Sequence, residues 1–254
     1  MEFKELGKKI IEIEEIVEEK IEESGGIENI TKPLIGNSLG FGGILHVTKH
    51  CGNGKMNGFC SISSSNLLNK DCLRRMQLEG TVCSKCYAVR SEKMYPSLTD
   101  ALVWNTVVLT NYSLSENQLP DLFNISNFRF EAFGDVYNLC QLRNYVNICK
   151  KNPNTNFSIW TKKIYLFWGL FVKLGEPKPQ NLTIVYSGTY LNKIPYIGKS
   201  LDEIVDIRFT VFTKEFAKEN NIEINCEKKC RSCMKCYGRK SNTGNIVDIY
   251  ELLK

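Results

Sequence analysis

The stretch "NFSIWTKKIYLFWGLFVKLGEPKPQNLTIVYS", residues 156–187, decides the fold class of this chain. Two short runs rich in β-branched and aromatic residues, 156–161 and 182–187, flank a helical pattern at 163–174. Strands separated by a connection of helix length are usually parallel and joined by a right-handed crossover. The stretch therefore predicts one β-α-β unit.

The same alternation continues on both sides of this unit. Further strands are predicted at 43–48, 128–133 and 207–213, with helices at 98–111 and 138–151. We expect an α/β fold built on a mainly parallel sheet, either open or a partial (β/α) barrel. The predicted divisions are an amphipathic N-terminal helix in 1–26, an α/β core in 27–221 with a cysteine-rich loop at 50–90, and a C-terminal cysteine cluster and tail in 222–254.

Composition and charge indicate a folded protein without a membrane span. The chain has 254 residues, of which 43% are hydrophobic, and no apolar run approaches the roughly 20 residues that cross a bilayer. Its first residues mix both charge signs, unlike a secretion signal. We expect a soluble, intracellular protein. The net charge of +5 permits a phosphate-bearing partner but does not require one.

Eleven cysteines point to metal binding. An odd number of thiols in a chain without a secretion signal argues against a disulfide framework, because clustered cytosolic thiols usually hold metal.

The first set of cysteines comprises Cys51, Cys60, Cys72, Cys83 and Cys86. Cys51 follows the predicted strand 43–48, and Cys83 and Cys86 form a C-x-x-C pair, so these three thiolates could hold a 4Fe–4S cluster with one open iron. Either Cys60 or Cys72 could replace Cys51 or bind a second metal, and a zinc site or redox dithiol is the alternative for the pair.

The second cysteine set, Cys226, Cys230, Cys233 and Cys236, has the spacing C-x3-C-x2-C-x2-C. Zinc sites usually join two C-x-x-C pairs through a longer loop, which this run lacks. Its spacing is close to a ferredoxin-type run in reverse order. It predicts an iron–sulfur cluster, with a zinc site sharing ligands from residues 51–72 as the alternative.

Small or polar residues stand at the end of the predicted strands. In a parallel sheet these ends share one edge, where ligands bind. We expect a cofactor site there, although some of these side chains could simply cap the following helices. The candidates are Gly134, Asp135, Thr161, Lys162, Ser187 and Thr213.

The segments "HC", "CSKCYA", "ALVWN", "RFEAFGDVY" and "FSIWTKK", together with the terminal cysteine run, resemble the phage family known as gene product eighty-eight. The resemblance spans residues 40–237. The loop that carries Cys60 and Cys72 departs from the shorter spacing of that family.

The chain is also distantly similar to radical S-adenosylmethionine enzymes, which carry three cysteines after the first strand of a partial α/β barrel. Here "FGD" (133–135) takes the place of their Gly-Gly-Glu segment, and only the final C-x2-C of their cysteine motif is present. This similarity implies S-adenosylmethionine as cofactor, its reductive cleavage at the open iron, and a reductant such as flavodoxin or ferredoxin.

A phage origin implies the cytoplasm of a bacterial host and a nucleotide or nucleic acid as the target. The alternative reading is a zinc-binding module without enzymatic activity, in which basic residues around 228–240 contact nucleic acid.

Overall fold

A seven-stranded, mostly parallel sheet forms the centre of the molecule. The computed structural model describes residues 3–36, 40–51, 54–237 and 245–253. The strands follow one another across the sheet in chain order: β1 Thr48–Lys49, β2 Cys60–Ile62, β3 Asn127–Phe130, β4 Asn156–Thr161, β5 Leu182–Ser187, β6 Ile207–Phe212 and β7 Val247–Leu252. β1 pairs antiparallel with β2, and every later neighbour is parallel. The predicted α/β class with a mainly parallel sheet is confirmed, and in the described chain the sheet is open, with β1 and β7 as its edges.

The described helices fill the connections. They are α1 Phe3–Glu23, α2 Lys70–Met76, α3 Tyr87–Met94, α4 Pro96–Asn111, α5 Leu139–Lys151, α6 Ile164–Trp168, α7 Lys199–Asp202, α8 Lys214–Glu219 and α9 Cys230–Cys233. α6 continues as a π-helical turn, Gly169–Lys173. Short 3₁₀ turns span Ile27–Asn29, Val82–Lys85, Glu116–Gln118 and Lys235–Tyr237. Within the described ranges, no helix has the length and apolar character needed to cross a membrane.

The two faces of the sheet bury different partners. Side chains alternate between faces along each strand. One face, here called the helix face, carries Phe130 and Phe157, whose rings stack at 5.0 Å, and Phe130 also stacks on Tyr145 of α5 at 4.3 Å. The opposite face carries a smaller apolar cluster that includes Val185 and Phe209 and contacts Cys226 and Cys236. We call this second face the thiol face, because two cysteines pack against it.

The N-terminal helix is an integral part of the core. Its buried side chains recur at steps of three and four residues, and they are Leu6, Ile10, Ile13, Val17 and Ile21. α1 packs on α4 through this stripe. The predicted amphipathic helix is confirmed for Phe3–Glu23, while residues 1 and 2 lie outside the described residues.

The strand predicted at 43–48 is wrong, except at Thr48. Side chains of α4 take the hydrogen bonds that a strand partner would have supplied: Trp104 Nε1 donates to Ile44 O at 2.6 Å, and Asn105 accepts from His46 N at 2.8 Å and donates to His46 O at 2.9 Å. Buried backbone groups need such partners. Residues 43–47 are therefore not part of the sheet, and Gly43 has a φ of 65°.

Two strands were missed. β2 is only three residues long and lies in the loop that we predicted at 50–90. β7 lies in the region 222–254 and pairs with β6 over its whole length. The predicted division at residue 221 thus runs through the sheet, and the tail contributes a strand to the same core.

Candidate functional site

The terminal cysteine segment, defined here as residues 226–237, lies on the thiol face. Its last turn, Lys235–Tyr237, contacts β4 and β5. Cys226 and Cys236 pack against the apolar side chains of that face. Met234 ends α9 in the left-handed conformation, with φ of 56°, which turns the chain sharply between Cys233 and Cys236. This turn brings the last thiol back toward the sheet.

The four thiols of this segment are free and half-buried. Burial raises the pKa of Cys236 to about 12; the charge of Arg129 opposes this rise, and those of Cys226 and Cys230 add to it. Burial also raises the pKa of Cys226 and of Cys230, and in both cases the charge of Cys233 adds to the rise. The charge of at least one other thiol of the segment thus contributes to the rise at each of these three cysteines.

The loop 54–59, between β1 and β2, holds this segment in place. Lys55 Nζ donates to Glu251 Oε1 of β7 at 2.6 Å, to Cys226 Sγ at 3.3 Å and to the Cys226 carbonyl. The amide of Cys230 donates to Lys55 O at 2.9 Å. Burial acts to lower the pKa of Lys55, but the hydrogen bond and charge of Glu251 outweigh it and raise that pKa. Lys55 is therefore a charged link between the loop, the segment and the last strand.

Stacked aromatic rings add to the contact between the loop 54–59 and the terminal cysteine segment. Phe59 stacks on Tyr237 with ring centres 5.0 Å apart.

His50 makes a separate aromatic contact, in which its ring stacks on Phe133 with ring centres 5.3 Å apart. His50 Nε2 also lies 2.8 Å from Ser61 Oγ. Burial lowers the pKa of His50 to about 4. At neutral pH the imidazole is therefore uncharged, and one of its nitrogens is already engaged.

A second thiol group lies at the carboxyl edge of the sheet, beside Asp135 and Lys162. Cys72 is buried on α2, and burial raises its pKa well above the usual value, with the charge of Asp135 adding to the rise. Burial also raises the pKa of Cys83; the charge of Lys162 opposes this rise and that of Cys86 adds to it. The charge of Cys83 adds to the rise at Cys72, and α2 packs against the turn Val82–Lys85. The structure thus places Cys72 and the C-x-x-C pair at the same edge of the sheet.

Cys51 and Cys60 are placed differently. Cys51 is exposed, and its thiol lies 3.6 Å from Lys49 O. It follows β1, which is antiparallel to β2, so the chain leaves β1 toward the amino ends of the parallel strands. Cys60 is 4% exposed and packs in the core on the helix face. Neither thiol takes the place at the carboxyl edge that we predicted for the third ligand, and Cys72 lies there instead.

Four of the six predicted cofactor-binding residues form one hydrogen-bonded group, and a fifth, Gly134, precedes Asp135 in the chain. Asp135 accepts hydrogen bonds from Thr161 Oγ1 at 2.7 Å and from the Lys162 amide at 3.2 Å. Arg75 forms an ion pair with it at 3.2 Å. Lys162 Nζ donates to Ser187 Oγ at 3.4 Å. Asp135 is thus occupied by protein partners, whereas the ammonium group of Lys162 contacts the neutral hydroxyl of Ser187.

The sixth residue, Thr213, acts as a helix cap. Its hydroxyl accepts from the amide of Phe216 at 3.3 Å at the start of α8. This is the alternative that the sequence left open for some strand ends.

The close packing around residue 134 leaves no room for a side chain. A Cβ atom at this position would lie 2.0 Å from Glu131 Oε2 and 2.7 Å from Ser64 O. Only glycine lets the Glu131 carboxyl and the chain after β2 approach this closely. Gly134 therefore shapes the carboxyl edge through packing.

Two buried carboxyl groups lie behind this edge. Burial raises the pKa of Glu131 and of Glu92 to about 7 in each case, although hydrogen bonds oppose the rise. Glu131 accepts from Ser64 Oγ at 2.9 Å and from Tyr145, and Glu92 accepts from Ser65 Oγ at 2.8 Å. The serines after β2 thus anchor two acids that exchange protons near neutral pH.

Within the described ranges, no group of three or more His, Cys, Asp or Glu side chains is arranged to hold a metal ion. The chemistry of the donors nevertheless suits a thiophilic metal, since four free thiols share one face and three more share the carboxyl edge. The buried Nε of Arg129, which has no hydrogen-bond partner, also lies on the thiol face. The residues fit a metal–thiolate group in donor type and charge, but the sulfur atoms do not form a preassembled ligand set.

A family model described as Gene product 88 matches residues 47–247. The chain belongs to the Gene product 88 family. No curated protein and no solved structure matches the chain. The resemblance predicted from the cysteine and strand motifs is thereby confirmed for this family, and the similarity to radical S-adenosylmethionine enzymes stays a prediction.

The region matched to the Gene product 88 family contains both thiol groups and the polar carboxyl edge. It excludes α1, which precedes residue 47. The thiols and the polar edge therefore lie inside the family region, whereas α1 and the Lys55 partner Glu251 lie outside it.

Sequence reasoning missed the charged residues around the thiols. Arg129 stands between Phe128 and Phe130 in a buried strand, and an arginine in such a run is itself a signal of a special role. Lys55 gave no such signal, because it lies in a polar loop and meets its partners only in the folded chain.

Proposed function

We propose that this protein is an iron–sulfur protein with two metal centres, and that it is a radical S-adenosylmethionine-like enzyme acting on a nucleotide or nucleic acid. The observation that supports the proposal is the location of seven free thiols in two regions of the fold, four in the segment on the thiol face and three beside the carboxyl edge. Clustered cytosolic thiols without disulfide partners usually hold metal.

The carboxyl-edge group would hold the reactive cluster. In this proposal Cys72, Cys83 and Cys86 are the ligands, so Cys72 takes the role first given to Cys51. A 4Fe–4S cluster held by three thiolates has an open iron, and when bound it supplies the electron that cleaves a sulfonium such as S-adenosylmethionine. Such a cluster requires an external reductant of the flavodoxin or ferredoxin type.

The polar residues of the edge would bind and orient the ligand. Asp135 holds Thr161 and the Lys162 backbone in place through its hydrogen bonds. Lys162 then offers its ammonium group to a carboxylate or phosphate. This assignment makes Asp135 a positioning residue and Lys162 a ligand-binding residue.

The terminal cysteine segment would hold a second, auxiliary cluster. Its position over β4 and β5 on the thiol face is the place that substrate or cofactor would occupy in a partial barrel. A curved, partly closed sheet and a location in the cytoplasm of a bacterial host belong to the same proposal.

Metal analysis under exclusion of oxygen tests this proposal. We expect the purified chain to carry iron and sulfide, and Cys83→Ala and Cys236→Ala each to lose about half of the iron, since each removes a ligand of one cluster. Cys140→Ser is the matched control, because this half-buried thiol bonds Tyr112 O and belongs to neither group. Reduction with dithionite in the presence of S-adenosylmethionine should release 5′-deoxyadenosine.

The results of the metal and product assays distinguish the proposed enzyme from its alternatives. Stoichiometric zinc without iron would support the non-enzymatic nucleic-acid-binding module, for which residues 228–237 supply basic side chains and residues 239 and 240 lie outside the described residues. If the protein binds iron but releases no 5′-deoxyadenosine, the radical chemistry is wrong, and electron transfer or sensing is the remaining function. A chain that binds neither metal would contradict the whole proposal.

A further inference from the structure

Arg129 is a buried cation on the thiol face. Its side chain is only 9% exposed, and its guanidinium lies over the ring of Trp160 at 4.1 Å. Nη1 lies 3.3 Å from Met56 Sδ, a weak acceptor, and Nε has no hydrogen-bond partner. None of the ion pairs found in the described chain includes Arg129. A buried charge is costly unless an anion compensates it.

A second unpartnered group lies beside it. Ser158 is the residue of β4 opposite Arg129 of β3, so both point to the thiol face. Ser158 Oγ is buried without a partner. Only one other buried side-chain atom of the described residues shares this property, Thr210 Oγ1, which alternates with Phe209 on β6 and therefore faces the other way. Two of the three unpartnered buried groups are thus neighbours on one face.

The terminal cysteine segment packs over this part of the sheet, because its last turn, Lys235–Tyr237, contacts β4, the strand that carries Ser158. Arg129 lies against Met56 of the loop 54–59, and the same loop bonds the amide of Cys230. The charge of Arg129 accordingly acts on Cys230, Cys236 and Tyr237. The arginine N–H can only donate and the serine hydroxyl can also donate, so one anionic acceptor between them would satisfy both groups.

We propose that Arg129 and Ser158 compensate the negative charge of the metal–thiolate group held by the terminal cysteines and donate hydrogen bonds to its sulfur atoms. This inference rests on the proposed function. Four thiolates carry more charge than a zinc ion or a 4Fe–4S core neutralises, so the group is an anion with either metal. Positive charge and hydrogen bonds at sulfur stabilise the reduced form of a cluster and raise its reduction potential.

The test uses the full chain in the Cys83→Ala background, where only the terminal group is expected to bind iron. The variants are Arg129→Met, Arg129→Lys and Ser158→Ala, with Thr210→Val as the matched control on the opposite face. We expect Arg129→Met to lower the midpoint potential of the cluster, measured by a redox titration followed by electron paramagnetic resonance. Ser158→Ala should shift the potential in the same direction by less, Arg129→Lys should stay near the parent value, and Thr210→Val should not change it.

The rate of metal loss to a chelator provides a second measurement, which also applies if the bound metal is zinc. Arg129→Met should release metal several-fold faster than the parent, and Thr210→Val at the parent rate. If Arg129→Met does not fold, as judged by circular dichroism, Ser158→Ala and Arg129→Lys decide the question.

The two possible failures are distinct. A parent chain that binds no metal would overturn the proposed function and this inference together. A parent chain that binds metal, with an unchanged potential and release rate in Arg129→Met and Ser158→Ala, would overturn this inference alone.

Discussion

At the scale of single residues, the buried acid Glu92 controls how stability depends on pH. Its carboxyl group accepts from Ser65 Oγ and from the Asn66 amide in a fully buried site, and burial raises its pKa from 4.5 to about 7. The folded state therefore keeps a proton that the unfolded state releases. The stabilising contribution of this group is complete below pH 4.5 and is lost as pH rises toward 7.

We predict that Glu92→Gln removes part of this pH dependence. The free energy of unfolding of the parent should fall by on the order of 3 kcal/mol between pH 4.5 and 7 on account of Glu92, and the amide should abolish that share. Urea unfolding at several pH values measures the slope. Glu12→Gln, at an exposed position of α1, is the control and should follow the parent. An unchanged slope in Glu92→Gln would refute the assignment.

Individual residues also show where sequence reasoning stops. The cysteines were found from their number and spacing, and both groups contain predicted ligands. The spacing left open whether Cys60 or Cys72 replaces Cys51, because the position of Cys51 depends on β1 being antiparallel to β2, a pairing formed by a two-residue strand. The partners of Arg129 and Lys55 come from distant parts of the chain, and no local pattern encodes such contacts.

At the scale of elements, α1 contributes to stability through one narrow stripe. Val17 is fully buried, whereas its neighbour Ile16 is 43% exposed. The two side chains differ little in size and lie on the same helix, which makes them a matched pair.

We predict that Val17→Ala lowers the free energy of unfolding by about 2 kcal/mol, since it leaves a cavity between α1 and α4. Ile16→Ala should change it by less than about 0.5 kcal/mol. Chemical denaturation of both variants provides the comparison. Equal losses would mean that α1 does not pack through this stripe.

The central elements were predictable because local pattern and tertiary environment agree there. The strands 156–161 and 182–187 are observed at the predicted residues, and α4, α5 and β6 differ from prediction by at most two residues at an end. The segment 43–48 has the composition of a strand, but Trp104 and Asn105 satisfy its backbone instead. In β7, Val247 and Ile249 alternate with polar residues, and this alternation could have predicted the strand.

At the scale of the whole molecule, Lys55 joins the first and last parts of the sheet. Its partners Cys226 and Glu251 are 171 and 196 residues away in sequence. The ion pair is only partly buried, with both side chains 21% exposed, so its importance lies in the geometry it fixes.

We predict that Lys55→Met loosens the terminal cysteine segment without unfolding the sheet. The amide of Cys230 donates to Lys55 O and should exchange its hydrogen roughly tenfold faster once the charged link is lost. Hydrogen exchange read by mass spectrometry over residues 226–237 measures this. Arg143→Met, which breaks a surface ion pair with Glu176, should leave the exchange of that segment unchanged. Unaltered protection in Lys55→Met would show that Phe59 and the sheet hold the segment alone.

The contact between Lys55 and Glu251 has a consequence for biogenesis. Lys55 precedes Cys226 by 171 residues and Glu251 by 196, so the loop 54–59 leaves the ribosome long before its partners. The terminal cysteine segment can dock on this loop only after β7 has also been synthesised. Until then its four thiols lack the sheet that later covers them, so metal delivery to the thiol face follows the synthesis of β7.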